Sequence, residues 1–291
     1  MSNIGLIIEE RSRDIGDFLV GRLLPFRKKR MVGPFIFIDH MGPASIGPGN
    51  YLDVGEHPHI GLSTLTFLLE GTILHRDSTG AVQEINAGDV GWMTAGRGVV
   101  HTERTPELYR DGTTYALHGF QIWVALPKEK EEIEPQFSFT PREEIPTWTE
   151  AGITYKLIAG TGFGRTSKVP VFSELFMIEI TTIDTVAFHT ENQLKGEIGI
   201  CVVEGYVEAC GQRIEKGNML VSKQEANCAL HIGAHTKLLL FGGEPFEEER
   251  FIYWNFVSSD KNRIEKAKAD WKSNKFQRVP GEDAYIPLPS Y

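Results

Sequence analysis

Cysteine is scarce in this chain. Its 291 residues include only Cys201, Cys210 and Cys228, all in the last third. So few, and odd in number, they imply no disulfide framework and fit a reducing compartment. Long hydrophobic runs are also missing. No stretch approaches the roughly 18 consecutive apolar residues of a membrane span. The opening MSNIGLIIEERSRDIG lacks the basic start and long apolar run of a secretory leader. These absences predict a cytoplasmic protein with no membrane partner. Positive charge is in deficit: 30 Lys and Arg against 39 Asp and Glu leave a formal net charge of −9. That balance excludes general affinity for nucleic acid or anionic membrane. The one basic run, Arg27-Lys28-Lys29-Arg30, reads as a loop between strands rather than an anion-binding patch.

What is abundant is turn-forming sequence and short strands. Glycine counts 30 residues, with 15 prolines, above the usual glycine share of about 7%. Between the turns lie short apolar or alternating segments such as PFIFIDH (34–40), STLTFLL (63–69), GTILHRD (71–77) and HGFQIWVALP (118–127). Strands this short, at such close intervals, predict an all-β sandwich or barrel. The length suits two domains. The charged, proline-bounded stretch between about 128 and 150 is the best boundary, dividing the chain into 1–140 and 141–291. The segments 70–90 and 204–220 share a strand, turn, strand layout, which suggests two copies of one β-barrel. The tail differs. Ile264, Ala267 and Trp271 recur at helical spacing after a candidate N-cap, Asp260. This predicts a short C-terminal helix packing Trp271 onto a barrel, preceded by a last strand holding Trp254 and Phe256.

The strongest chemical signal is EHPHIG (56–61) combined with GRGVVHTE (96–103). His57 and His59 are two residues apart, as are His101 and Glu103, and on a strand such pairs share a face. If both pairs face inward, three imidazoles and a carboxylate converge. Three nitrogens and one oxygen with open positions suit Fe(II), Ni, Cu, Mn or Zn. Pro58, between the two histidines, lacks a backbone N–H and predicts an edge or irregular strand. Gln121 is compatible with either face of its strand. His75, His118 and Gln121 are candidates for supporting the ligands from behind, although His75 and His118 read first as core or surface histidines. Trp92, Met93 and Phe67 read as core residues that could also line the pocket. In the second half, His189, Glu191, His231 and His235 lack a second clear pair, so that barrel is expected to be metal-free.

The segment HPHIGLSTLTFLLEGTILHRDSTG…INAGDVGWMTAGRGVVHTE closely resembles the pirin family of the cupin superfamily. So do HGFQIWVALP with its following E-P-Q-F, GGEPF (242–246) and the W-N-F tail (254–256). The resemblance implies two cupin β-barrels, jelly-roll-like double-stranded β-helices, with one metal site in the first. It places His57, His59, His101 and Glu103 on the family's four ligands. Many family members carry Glu where this chain has Ser63, which leaves the substrate open. The implied activity is that of a flavonol (quercetin-like) 2,3-dioxygenase, with O2 and a small molecule as partners and Fe(II) as first choice of metal. Glu103 would accept the proton of an enolic hydroxyl. Two other readings compete: a non-enzymatic metal-binding regulator acting through a protein partner, and a metal-dependent isomerase or hydrolase. A monomer is expected.

Overall fold

The computed structural model describes residues 4–14, 19–190, 193–222 and 230–290, so Glu191 and Cys228 lie outside the described residues. The chain forms two compact units, each built on two antiparallel sheets. In the unit carrying most of the second half, one sheet runs in the order Ile4–Glu9, Asn218–Ser222, Glu197–Glu204, Lys237–Gly243, Leu175–Thr182, Ile153–Gly162, Thr147–Glu150. The other orders Val186–Phe188, Leu230–Ile232, Tyr206–Ala209 and Gln212–Glu215. Alternate residues of both sheets point inward and close one core, with Leu157, Ile178, Val202 and Leu240 from the first and Val207, Ile214 and Ile232 from the second.

The other unit carries the first-half motifs. One sheet orders Asp53–His59, Val99–Arg104, Thr72–Asp77 and Val82–Asn86. A second contains the path Gln136–Thr140, Val90–Thr94, Leu62–Glu70, Tyr115–Ala125 and then Phe35–Ile46, whose residues from Asp39 onward belong here. The strand with Pro58 is the edge of its sheet, as the missing N–H requires. The C-terminal segment covers that edge: Glu56 N–H donates to the Ala284 carbonyl (2.7 Å) and Ile286 N–H to the Glu56 carbonyl (3.0 Å). A covered edge cannot recruit another strand.

The units do not divide at 140/141. Segments 1–12 and 21–38 join 143–246, while 13–20 and 247–291 join 39–142. Two long-range contacts cause this. Strand Ile4–Glu9 pairs in antiparallel register with Asn218–Ser222, and the C-terminal helix packs on the first-half barrel. That helix spans Lys261–Lys272, with Asp260 Oδ1 accepting from Asn262 N–H (2.8 Å) as its N-cap. Ile264, Ala267 and Trp271 turn inward against Ile60, Val100 and Phe256. The preceding hairpin pairs Phe251–Tyr253 with Phe256–Ser258. Trp254 lies in its turn at φ 52° rather than in the strand.

Lys29, within the basic run, is ion-paired with Glu197, whose other oxygen accepts from Gly33 N–H (2.9 Å). Cys201 is a buried free thiol. Cys210, at the turn between two short strands with φ 50°, is disulfide-bonded, a cross-link that the scarcity of cysteine did not imply. Among the described residues no helix is long and apolar enough to cross a membrane.

Candidate metal centre

The four-stranded sheet of the first-half barrel collects the candidate side chains on one face. His101 stands opposite His57 on one side and Asp77 on the other, and Glu103 stands opposite His75. Residues directly opposite in an antiparallel pair share a face. His57, His59, His101, Glu103, His75 and Asp77 therefore point the same way. Between Val54 and His57 the edge strand carries one extra residue relative to His101 and Glu103, a bulge of the kind that re-aims a side chain. Gly61, directly after the histidine pair, has φ 67°, and a Cβ there would lie 2.0 Å from the Val257 carbonyl oxygen. Its N–H donates to the Gly96 carbonyl (2.9 Å) and so ties the two glycine-framed motifs together.

His57, His59 and His101 converge. One ring nitrogen from each lies within 4.8 Å of the other two, and all three residues are buried. His57 Nδ1–H donates to the Gly55 carbonyl (2.8 Å), so its Nε2 carries the lone pair. His59 Nε2 and His101 Nε2 approach to 3.1 Å. Two imidazole nitrogens about 2.0–2.1 Å from a shared ion, at angles between a right angle and tetrahedral, stand roughly 2.8–3.4 Å apart. The observed spacing fits a ligand pair. The Asn255 carbonyl lies near the His59 ring, yet the buried His59 Nδ1 reaches full hydrogen-bond geometry with no partner. Burial lowers the pKa of His57 to about 4 and holds those of His59 and His101 well below the ordinary value. Neutral imidazoles are the form that ligates a cation.

Glu103 lies outside this closest set of three nitrogens. It is half-buried by area, but its carboxyl sits in a desolvated position that pushes its pKa up. A short chain of hydrogen bonds orients it. The Thr66 hydroxyl donates to Gln121 Oε1 (2.8 Å), which fixes the amide so that Gln121 Nε2 donates to Glu103 Oε1 (3.0 Å). Thr66 and Gln121 are directly opposite each other on neighbouring strands. Gln121 thus faces the site, settling what its apolar neighbours in sequence left open. Its Oε1 and Nε2 are both engaged, and Glu103 Oε2 remains for a ligand.

Alternation sorts the remaining candidates. Thr64, Thr66, Met93, Gln121 and Trp123 lie on one face of the facing sheet, and Ser63, Phe67 and Trp92 on the other. Met93 therefore points with Gln121, whereas Phe67 and Trp92 do not. The Ser63 hydroxyl bonds that of Thr94 (3.0 Å), to which Trp92 Nε1–H also donates (3.2 Å). Trp123 meets the His59 ring edge-on at 5.1 Å. Sequence reasoning overlooked it, although it lies two residues beyond Gln121 on the same strand. His118 pairs instead with His40 (Nε2 to Nε2, 2.8 Å). In the other unit, His189, His231 and His235 are exposed.

The family model described as Pirin matches residues 18–124, and that described as Pirin C-terminal cupin domain matches residues 177–277. A pirin-like protein of Caulobacter vibrioides is 45% identical over 295 residues, spanning 98% of this chain and 99% of that protein. Among solved structures, a quercetin 2,3-dioxygenase from Acinetobacter baumannii superposes with a TM-score of 0.90 at 33% identity, covering 98% of this chain and 95% of that one. A second quercetin 2,3-dioxygenase structure from the same organism gives 0.84 at 28% identity, covering 96% and 99%.

Proposed function

This chain belongs to the pirin family, two cupin β-barrels closed by a short C-terminal helix, and on that premise we propose that it is a metal-dependent dioxygenase acting on a flavonol or related enolic substrate. The observation that carries the reading is the convergence of three buried, neutral imidazoles on one point. His57, His59 and His101 would hold one divalent transition metal, with Glu103 as the carboxylate ligand and Fe(II) as the metal that suits O2 chemistry. When bound, the metal supplies Lewis acidity toward an enolic oxygen and a centre at which O2 can react.

The protein's own part is to place and move a proton. Glu103, whose carboxyl burial pushes toward the protonated form, would accept the proton of an enolic hydroxyl at Oε2 as that oxygen loosens its hold on the metal. Gln121 and Thr66 hold Oε1 and so keep the carboxylate aimed. Trp123 and Met93 supply an apolar wall that favours a flat aromatic substrate and limits water. The likeness to quercetin 2,3-dioxygenase structures supports this substrate class.

The test is O2 consumption by freshly purified, Fe(II)-loaded protein with a panel of flavonols. The expected result is stoichiometric O2 uptake with carbon monoxide release. A metal-replete protein that consumes no O2 with any of them overturns the dioxygenase reading and favours action through a protein partner.

A further inference from the structure

His75 and Asp77 have no part in the chemistry above, yet they form a buried chain that ends on a proposed ligand. Both are almost wholly inaccessible, at 2% and 0%. Asp77 Oδ1 accepts from Thr79 N–H (2.8 Å), the Thr79 hydroxyl (2.6 Å) and Ala81 N–H (3.2 Å). These bonds lock the carboxylate in the turn that follows its strand. Asp77 Oδ2 lies 3.0 Å from His75 Nε2, and His75 Nδ1 lies 3.4 Å from His101 Nδ1. The His75 ring is held flat against Phe137, with centroids 4.3 Å apart and planes 15° from parallel.

We propose that Asp77 and His75 act as a positioning relay that sets the tautomer of His101, leaving its Nε2 as a bare lone pair aimed into the three-imidazole cluster. The argument is directional. A carboxylate only accepts, so His75 Nε2 must carry the hydrogen. In neutral His75 the Nδ1 is then an acceptor, so His101 Nδ1 must be the donor. His101 Nε2, which faces His59 Nε2 at 3.1 Å, is left unprotonated. The outcome matches His57, whose Nδ1–H is fixed by the Gly55 carbonyl. Two ligands thus reach the same tautomer by different supports, of the kind that orients metal-ligating histidines. The relay deepens the metal-site reading and rests on it, while its tautomer is testable without metal.

Asp77→Asn is the discriminating variant. Thr79 and Ala81 still require an acceptor at Oδ1, so the amide nitrogen must face His75 Nε2. That reverses the relay: His75 becomes Nδ1–H, His101 accepts at Nδ1, and its Nε2 becomes protonated. Ring-nitrogen NMR of metal-free, histidine-labelled protein at pH 8 reads this directly. The wild type is expected to show His101 protonated at Nδ1 and Asp77→Asn at Nε2. Competition with a chelator should show Fe(II) or Ni(II) affinity falling about 10–100-fold. His75→Phe removes the acceptor without reversing it, and a smaller loss is expected. Wild-type His101 protonated at Nε2, or equal metal affinity in wild type and a folded Asp77→Asn, overturns the relay. A wild type that shows the predicted tautomer but binds no metal overturns the metal-site reading and leaves the relay standing.

Discussion

At the scale of single residues, the site depends on hydrogen bonds that fix direction. Gln121→Leu removes the donor that aims Glu103 and replaces it with a slightly shorter apolar chain. Metal content is expected to stay near that of the wild type, while the turnover number for O2 uptake falls about 10–100-fold. Unchanged turnover would show that the carboxylate is held by something else. The imidazole set was legible in the sequence because two i, i+2 pairs on strands leave little freedom in where the side chains point. The same signature was present at His75 and Asp77. His75 was weighed as a support for the site, but Asp77 was missed because an aspartate before Ser-Thr-Gly also reads as an ordinary turn former, which Asp77 is as well. Gln121 was ambiguous for a different reason. Ile122 and Val124 alternate with Gln121 and Trp123, and all four are apolar or amphipathic, so periodicity could not choose a face until the Thr66 pairing fixed it.

At the scale of elements, the C-terminal segment is a strap across the barrel that holds the candidate site. Trp271 is 1% exposed, stacks on Tyr285 at 4.6 Å and donates from Nε1 to the Ile286 carbonyl (3.1 Å). Trp271→Ala is expected to cost about 3–5 kcal/mol, read as a lower urea midpoint at an unchanged slope. The segment is also tied by charge. Arg250, with no exposed side-chain area, pairs with Glu131 (3.2 Å) and donates from Nε and Nη2 to the Leu126 carbonyl (3.3 and 3.1 Å). Arg250→Ala leaves a buried carboxylate without its counter-charge, for which about 3 kcal/mol of destabilisation is expected by the same measurement. The helix itself was readable from its apolar spacing and its N-cap. Its place was not, because an amphipathic stripe specifies that a face is buried and not which barrel buries it. The same limit explains the strand Ile4–Glu9, whose pairing with Asn218–Ser222 spans most of the chain.

At the scale of the whole molecule, gathering neutral imidazoles makes the metal-free fold sensitive to acid. As the pH falls through about 6.5, histidines of the unfolded chain take up protons, while His57 in the fold stays neutral down to about 4. Between these values the unfolded state binds more protons, so stability decreases with falling pH. His57 alone accounts for about 2 kcal/mol at pH 5 by this linkage, and His59 and His101 act in the same direction. Urea unfolding of chelator-treated protein is expected to show a lower midpoint at pH 5 than at pH 7.5. A flat profile would mean that the rings are solvated or charged in the fold. Two barrels were foreseeable from repeated strand and turn patterns, whereas the exchange of terminal segments between units was not, since pairing partners so far apart leave no local signal. The central claim is that His57, His59 and His101 hold one metal ion, and elemental analysis of freshly purified wild type beside His101→Ala tests it most directly. The expected result is about one transition-metal ion per wild-type chain and almost none in a folded His101→Ala. Equal metal content in the two proteins would contradict it.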